Sequence, residues 1–170
     1  MTLRKARGKS QSTELIGRRP EEWRCEPGAF SQLPTRPYQE LWFELRNWGW
    51  RSLAVVPTAG GRSEFEVAEQ LVVVGVSNTN QPMTLVSAEG VSILETDDAI
   101  SRIRVAETRG DRVITVVDWL ADNPAALPIV RAVNAVVLVV RLGESERSSI
   151  ERAVSVIGRD RVIGVVTRKD

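Results

Sequence analysis

The chain reads as an α/β fold built on a mainly parallel sheet of about five strands, and three observations predict it. Short apolar runs recur at residues 53–56, 83–86, 113–117, 135–140 and 162–166, the signature of strands buried on both faces. Segments of helical length separate them, as crossovers between parallel strands require. Residues 51–71 then read as strand, glycine loop and helix, a layout that aims unpaired backbone N–H groups at an anion.

Taken in order, residues 1–35 are polar and rich in Gly, Pro, Ser and Arg, which predicts a mobile arm ahead of a folded domain at 36–170. Arg4, Lys5, Arg7, Lys9, Arg18 and Arg19 make the arm basic. With no basic patch elsewhere, a solvated tail is favoured over a nucleic-acid contact. Trp23 and Phe30 are candidates to pack back onto the domain. A helix is expected from Pro37 to about Trp48, because proline suits a first helical position, and Gly49 ends it. Its inward stripe is expected to be Leu41, Leu45 and Trp48, leaving Trp42 and Phe43 outside. Packing on the domain's own sheet and contact with a partner explain this aromatic helix equally well.

After the strand at 53–56 and its stop at Pro57, the glycine loop carries Gly60 and Gly61. Ser63 is expected as the N-cap of the next helix, with Glu64 and Glu66 in its first turn and Phe65, Val67, Ala68 and Leu71 apolar. Thr96 or Asp97 should cap a helix ending at Gly110, and the strand after it runs into Asp118. Residues 124–133 are expected to be helical despite Pro128. The last helix, 145–157, turns Ile150, Ala153, Val154 and Ile157 inward and stops at Gly158.

Composition excludes several kinds of chemistry. The 170 residues hold no histidine, so imidazole bases, Ser–His pairs and His-ligated metals are out. Cys25 is the single cysteine, which allows neither an internal disulfide nor a cysteine-rich zinc site. A net charge of +1 points to no polyanionic partner. No apolar run is long enough to span a membrane, and the expectation is a cytoplasmic protein.

The glycine loop has the outline of a phosphate site without its charge. A Walker A loop needs a lysine for the phosphates and a Ser or Thr after it for magnesium. Aligned without gaps, Ser63 falls on the glycine before that lysine, Glu64 on the lysine itself and Phe65 on the magnesium hydroxyl. Lys5, Lys9 and Lys169 are the only lysines, so none stands between residues 10 and 168. The degenerate loop is therefore Gly60, Gly61, Arg62, Ser63, Glu64 and Phe65. Asp118 has a familiar catalytic position at a strand end, but no nucleophile–base pair or carboxylate dyad accompanies it. The residues predict no catalytic group, no metal and no cofactor.

The order of segments resembles the bacterial tyrosine autokinases and their CpsD/CapB-type exopolysaccharide ATPase relatives, in the MinD/ParA branch of P-loop ATPases. Glu40-Leu-Trp-Phe-Glu-Leu-Arg46 before the first strand is similar to that family's opening helix. Asp111-Arg-Val-Ile-Thr-Val-Val-Asp118 is similar to its Walker B strand, and 135–143 and 162–166 to its last two strands. The resemblance covers about residues 37–168. It implies a P-loop NTPase-like three-layer fold with strand order 2-3-1-4-5 and a Walker B-like role for Asp118. That family's opening helix makes subunit contacts through a Glu and two Arg, of which Glu40 and Arg46 remain while Phe43 stands in place of the middle arginine. The aromatic surplus of this helix, Trp42, Phe43 and Trp48, is expected on its own account to carry a protein contact. The departures are the lost Walker A residues, Ser87-Ala88-Glu89 in place of a second acidic motif, Arg168 in place of a base-associated asparagine, and the absence of a tyrosine-rich tail, Tyr38 being the only tyrosine. Together they suggest a pseudo-ATPase serving as a regulatory or scaffold subunit in exopolysaccharide export. It would be recruited to the inner membrane face by a protein partner such as a chain-length regulator, with homo-oligomerisation open. A MinD/ParA-like positioning factor and a weak residual nucleotide binder are the alternatives. Replacing Ser63 by Gly, Glu64 by Lys and Phe65 by Ser together is expected to recover some nucleotide binding.

Overall fold

The computed structural model describes residues 22–30, 35–61 and 63–169. The chain folds as an α/β domain around one six-stranded sheet. Its elements are β1 (Glu22–Cys25), α1 (Arg36–Leu45), β2 (Ser52–Pro57), α2 (Phe65–Asn78), β3 (Met83–Ala88), α3 (Thr96–Thr108), β4 (Arg112–Val117), α4 (Ala126–Ala132), β5 (Ala135–Arg141), α5 (Arg147–Ile157) and β6 (Val162–Arg168). Across the sheet the order is β1-β3-β4-β2-β5-β6. All neighbours are parallel except β1, which lies antiparallel on β3 with Glu22 opposite Val86 and Cys25 opposite Met83.

The strands alternate their side chains between two apolar clusters, as the period-two geometry of a strand demands. Leu53 and Val55 of β2, with Val137 and Val139 of β5, join α1 and α2 on one face. Ala54, Val56, Val136 and Leu138 join α3, α4 and α5 on the other. Gly75 of α2 marks the tightest approach on the first face. A Cβ there would fall 1.9 Å from Met83 Sδ and 2.8 Å from the Trp42 ring.

Three expectations need correction. The sheet has six strands rather than five, so its order differs from the expected one, and one pairing is antiparallel. The added strand falls at 22–25, inside the stretch expected to be a mobile arm. It is held because Arg24 forks onto Asp111, Nε to Oδ2 at 2.9 Å and Nη2 to Oδ1 at 3.1 Å, while Thr84 Oγ1 donates to Asp111 Oδ2 at 2.8 Å. Arg109 adds a bond to Glu22 at 2.9 Å. Asp111 is buried; that burial alone would raise its pKa, but the Arg24 and Thr84 hydrogen bonds and the charges of Arg24 and Arg109 hold it below its ordinary value. Trp23 and Phe30 do pack back, edge to face at 6.4 Å.

The second correction concerns α1. Its inward residues are Tyr38, Leu41, Trp42 and Leu45, with Trp42 and Leu45 fully buried. Trp42 meets Trp50 edge to face at 5.8 Å, and the Arg112 guanidinium lies 5.0 Å from the Trp50 ring centre. Trp48, expected inside, sits in a 3-10 turn (Arg46–Trp48) and is 63% exposed. Phe43 is 42% exposed, as expected of an outer position. Third, the cap of α2 is Glu64 rather than Ser63. The helix starts at Phe65, whose N–H is accepted by Ser63 Oγ at 3.1 Å.

Candidate functional site

The carboxyl ends of β2, β3 and β4 border a cavity of about 760 Å³. Gly60, Gly61 and Ser63 of the glycine loop form one wall, the segment after β3 (Ser87 to Val91) a second, and Trp119, Asp122 and Asn123 a third. Arg62 lies outside the described residues. This is the crevice in which parallel α/β sheets ordinarily hold ligands.

The residues expected to form a single nucleotide loop divide between two places. Gly60, Gly61 and Ser63 line the cavity. Glu64 and Phe65 do not; they turn away beneath the loop. Glu64 is fully buried and bonded to Arg141, with Nε to Oε1 at 2.8 Å and Nη2 to Oε1 at 2.7 Å. Arg141 is itself buried. Arg168 approaches the other oxygen of Glu64 at 3.3 Å and donates to Glu66 at 2.8 Å. Phe65 is half-buried against the α1–α2 face of the core. The carboxylate expected to repel a triphosphate is thus an anchor, tying the start of α2 to the ends of β5 and β6. Thr58 reinforces it: its N–H and Oγ1 both donate to Val139 O, at 3.0 and 2.9 Å, and Oγ1 lies 2.8 Å from Ser145 Oγ.

This geometry overturns the expected triple replacement. A lysine at position 64 would bring a third cation against Arg141 and Arg168 and remove the carboxylate that both guanidinium groups meet. It would not present an ammonium group to the cavity.

Asp118 is a structural tie. Its Oδ2 accepts the Gly90 N–H at 2.7 Å and Asn123 Nδ2 at 2.8 Å, and the same amide donates to Val91 O at 3.0 Å. The segments after β3 and β4 are therefore fastened together at the cavity rim. Asp122 was not singled out in the sequence. A Cβ on Gly60 would lie 2.2 Å from Asp122 Oδ2 and 3.1 Å from the Trp119 ring, so the loop after β4 rests directly on the glycine loop. Only glycine permits that approach.

The described lining residues are strongly acidic. Glu89, Glu95, Asp98, Asp118 and Asp122 stand against one base, Arg102, which is paired with Asp98 on α3. A phosphate placed by the glycine loop would meet a carboxylate, a repulsion of about 1 kcal/mol per charge pair in water and about 4 kcal/mol near a protein surface at 4 Å. Among the described residues no group of three or more acidic or cysteine side chains is arranged to hold a metal ion.

The residues expected at an interface also divide. Glu40, Phe43, Arg46 and Trp48 are exposed, and the Arg46 guanidinium stacks 4.9 Å from the Phe43 ring centre. Trp42 belongs to the core. No family model matches this chain, and no curated protein matches it. Among the described residues no helix is long and apolar enough to cross a membrane.

Proposed function

We propose that this domain is a degenerate, catalytically inactive relative of the P-loop ATPases that works by being bound by protein. The observation that supports this reading best is the burial of Glu64 between Arg141 and Arg168. A functioning phosphate loop needs a mobile cation at that place; this chain uses the position to fasten a helix to its sheet. The acidic cavity wall and the Asp122–Gly60 contact point the same way, since both disfavour a polyanion. Given the resemblance to the tyrosine autokinase and exopolysaccharide ATPase group, the role we assign is a regulatory or scaffold subunit in exopolysaccharide synthesis and export. The partner would be a membrane-bound component such as a chain-length regulator.

The contact surface in this reading is the outer side of α1 and its 3-10 extension: Glu40, Phe43, Arg46 and Trp48. Exposed aromatics beside an arginine are the residue types that dominate interface energies. The test is affinity capture with Phe43→Ala and Trp48→Ala variants. Both should lose the partner while melting within a few degrees of the wild type, because neither side chain is in the core. Retention of the partner by both variants would refute this surface.

A further inference from the structure

At the amino ends of the strands, on the far side of the sheet from the cavity, three buried donors gather that no acceptor among the described residues answers. They are Trp42 Nε1, Trp50 Nε1 and Arg112 Nη1, all out of contact with solvent. Trp42 belongs to α1, Trp50 to the residues just before β2, and Arg112 opens β4 opposite Met83 of β3. The indole rings lie 5.8 Å apart, and Arg112 Cζ is 5.9 Å from the Trp42 ring centre and 5.0 Å from that of Trp50. Groups about 6 Å apart are spanned by an acceptor about 3 Å from each.

The guanidinium makes the demand sharper. Arginine stays charged in a protein and carries N–H donors but no acceptor. Other arginines that brace this domain meet carboxylates: Arg24 and Arg109 share Asp111, and Arg141 and Arg168 share Glu64. Arg112 is half-buried, and burial alone acts on it, pushing its pKa down with no carboxylate to raise it. Its neighbour Asp111 is already taken by Arg24, Arg109 and Thr84. The indole faces offset part of the desolvation of the cation. They leave the N–H groups unanswered, and an orphaned buried donor in a native fold calls for a water or an ion.

Charge and donor count decide which. Water would bring O–H donors of its own, and these three groups have nothing to accept them with. A halide accepts from every side and donates nothing. It also neutralises the guanidinium where the surroundings are least polar and an unpaired charge costs most. One positive charge matches one negative charge, so the ligand is a monoanion, small enough to lie between two indoles.

We propose that Trp42, Trp50 and Arg112 form a binding site for a single halide-sized monovalent anion, entered from the surface along the half-buried Arg112 side chain. The bound anion ties α1 to β4 and so stabilises the fold. This inference is independent of the proposed role, since neither partner capture nor nucleotide binding is read by its test.

The test is thermal melting of the full chain at constant ionic strength, with sodium bromide replacing sodium gluconate, whose anion is too large to enter. The wild type should melt higher as bromide replaces gluconate, by about 3 °C or more and with saturation. Arg112→Met removes the cation and should abolish the rise. Trp50→Phe keeps a ring but loses the N–H, and should need about tenfold more bromide for the same rise. In wild-type crystals grown in bromide, an anomalous peak should lie within about 3.5 Å of Arg112 Nη1 and of an indole Nε1. An equal bromide response in wild type and Arg112→Met would overturn the proposal. So would crystals showing a water molecule at that place, or bromide at the outer surface only.

Discussion

Removing the charge of Glu64 is the perturbation that probes the fold's adaptation most sharply. Glu64→Gln keeps the side-chain volume but leaves Arg141, whose side chain is 5% exposed, without the carboxylate that meets it at 2.7 Å. Breaking a buried pair by removing one partner costs about 3–5 kcal/mol, because the remaining charge stays desolvated. A domain of this size has about 5–15 kcal/mol in total, so a large part of its stability is at stake. At about 2–4 °C per kcal/mol, the melting temperature should fall by roughly 6–20 °C. Thermal melting by circular dichroism and urea unfolding measure this directly. The double change Glu64→Leu/Arg141→Met should melt well above Glu64→Gln, because it removes both buried charges and leaves Arg168 its bond to Glu66. A Glu64→Gln protein melting within about 2 °C of wild type would show that Glu64 is not an anchor.

Two further outcomes follow from the packing. Asp111 titrates below its ordinary 3.8 in the folded chain, so the stability it lends is present above that value and is lost as pH falls through the lower folded one. Wild type should therefore weaken below pH 3.8, and Asp111→Asn should be less stable at neutral pH with a flatter acid limb; an unchanged acid limb in a pH series of urea melts would contradict this. At Gly75, alanine gains about 1 kcal/mol of helix propensity but its methyl meets Met83 and Trp42, an overpacking that costs about 1–3 kcal/mol. Gly75→Ala should lower the urea midpoint, and Gly75→Ala/Met83→Ala should relieve the clash; a rise in the single variant would refute the close packing.

The parallel strands were legible because each is a short, nearly unbroken apolar run, which is how strands covered on both faces read. β1 was not, since four residues in a polar stretch show only Trp23 and Cys25 alternating with Glu22 and Arg24. What holds them, Asp111, lies 87 residues from Arg24. In α1 the error was one of centring. On a wheel of about 100° per residue, Tyr38, Leu41, Trp42 and Leu45 fall within an arc of about 100°. Trp48 would lie just beyond the Leu41 side of that arc, but the backbone tightens to a 3-10 turn before reaching it. Centring the stripe on Leu41 and Trp48 turned Trp42 out, whereas centring it on Leu45 brings it in.

The loss of the Walker lysine was plain in the sequence; the destination of Glu64 was not. Its partners Arg141 and Arg168 stand 77 and 104 positions away, and nothing local joins them. A signal was nevertheless present. Arginine ends both of the last two apolar strands, and a buried guanidinium at such a position requires a carboxylate from elsewhere. Asp122 gave no local signal, because its significance lies in how closely it approaches Gly60.

Calorimetric titration of the full chain with ATP and with GTP, in the presence of magnesium and up to millimolar nucleotide, tests most directly whether the glycine loop has given up phosphate. With Glu64 locked between Arg141 and Arg168 and Asp122 resting on Gly60, no saturable heat should be seen for either nucleotide. Saturable, magnesium-dependent binding at micromolar affinity would contradict it.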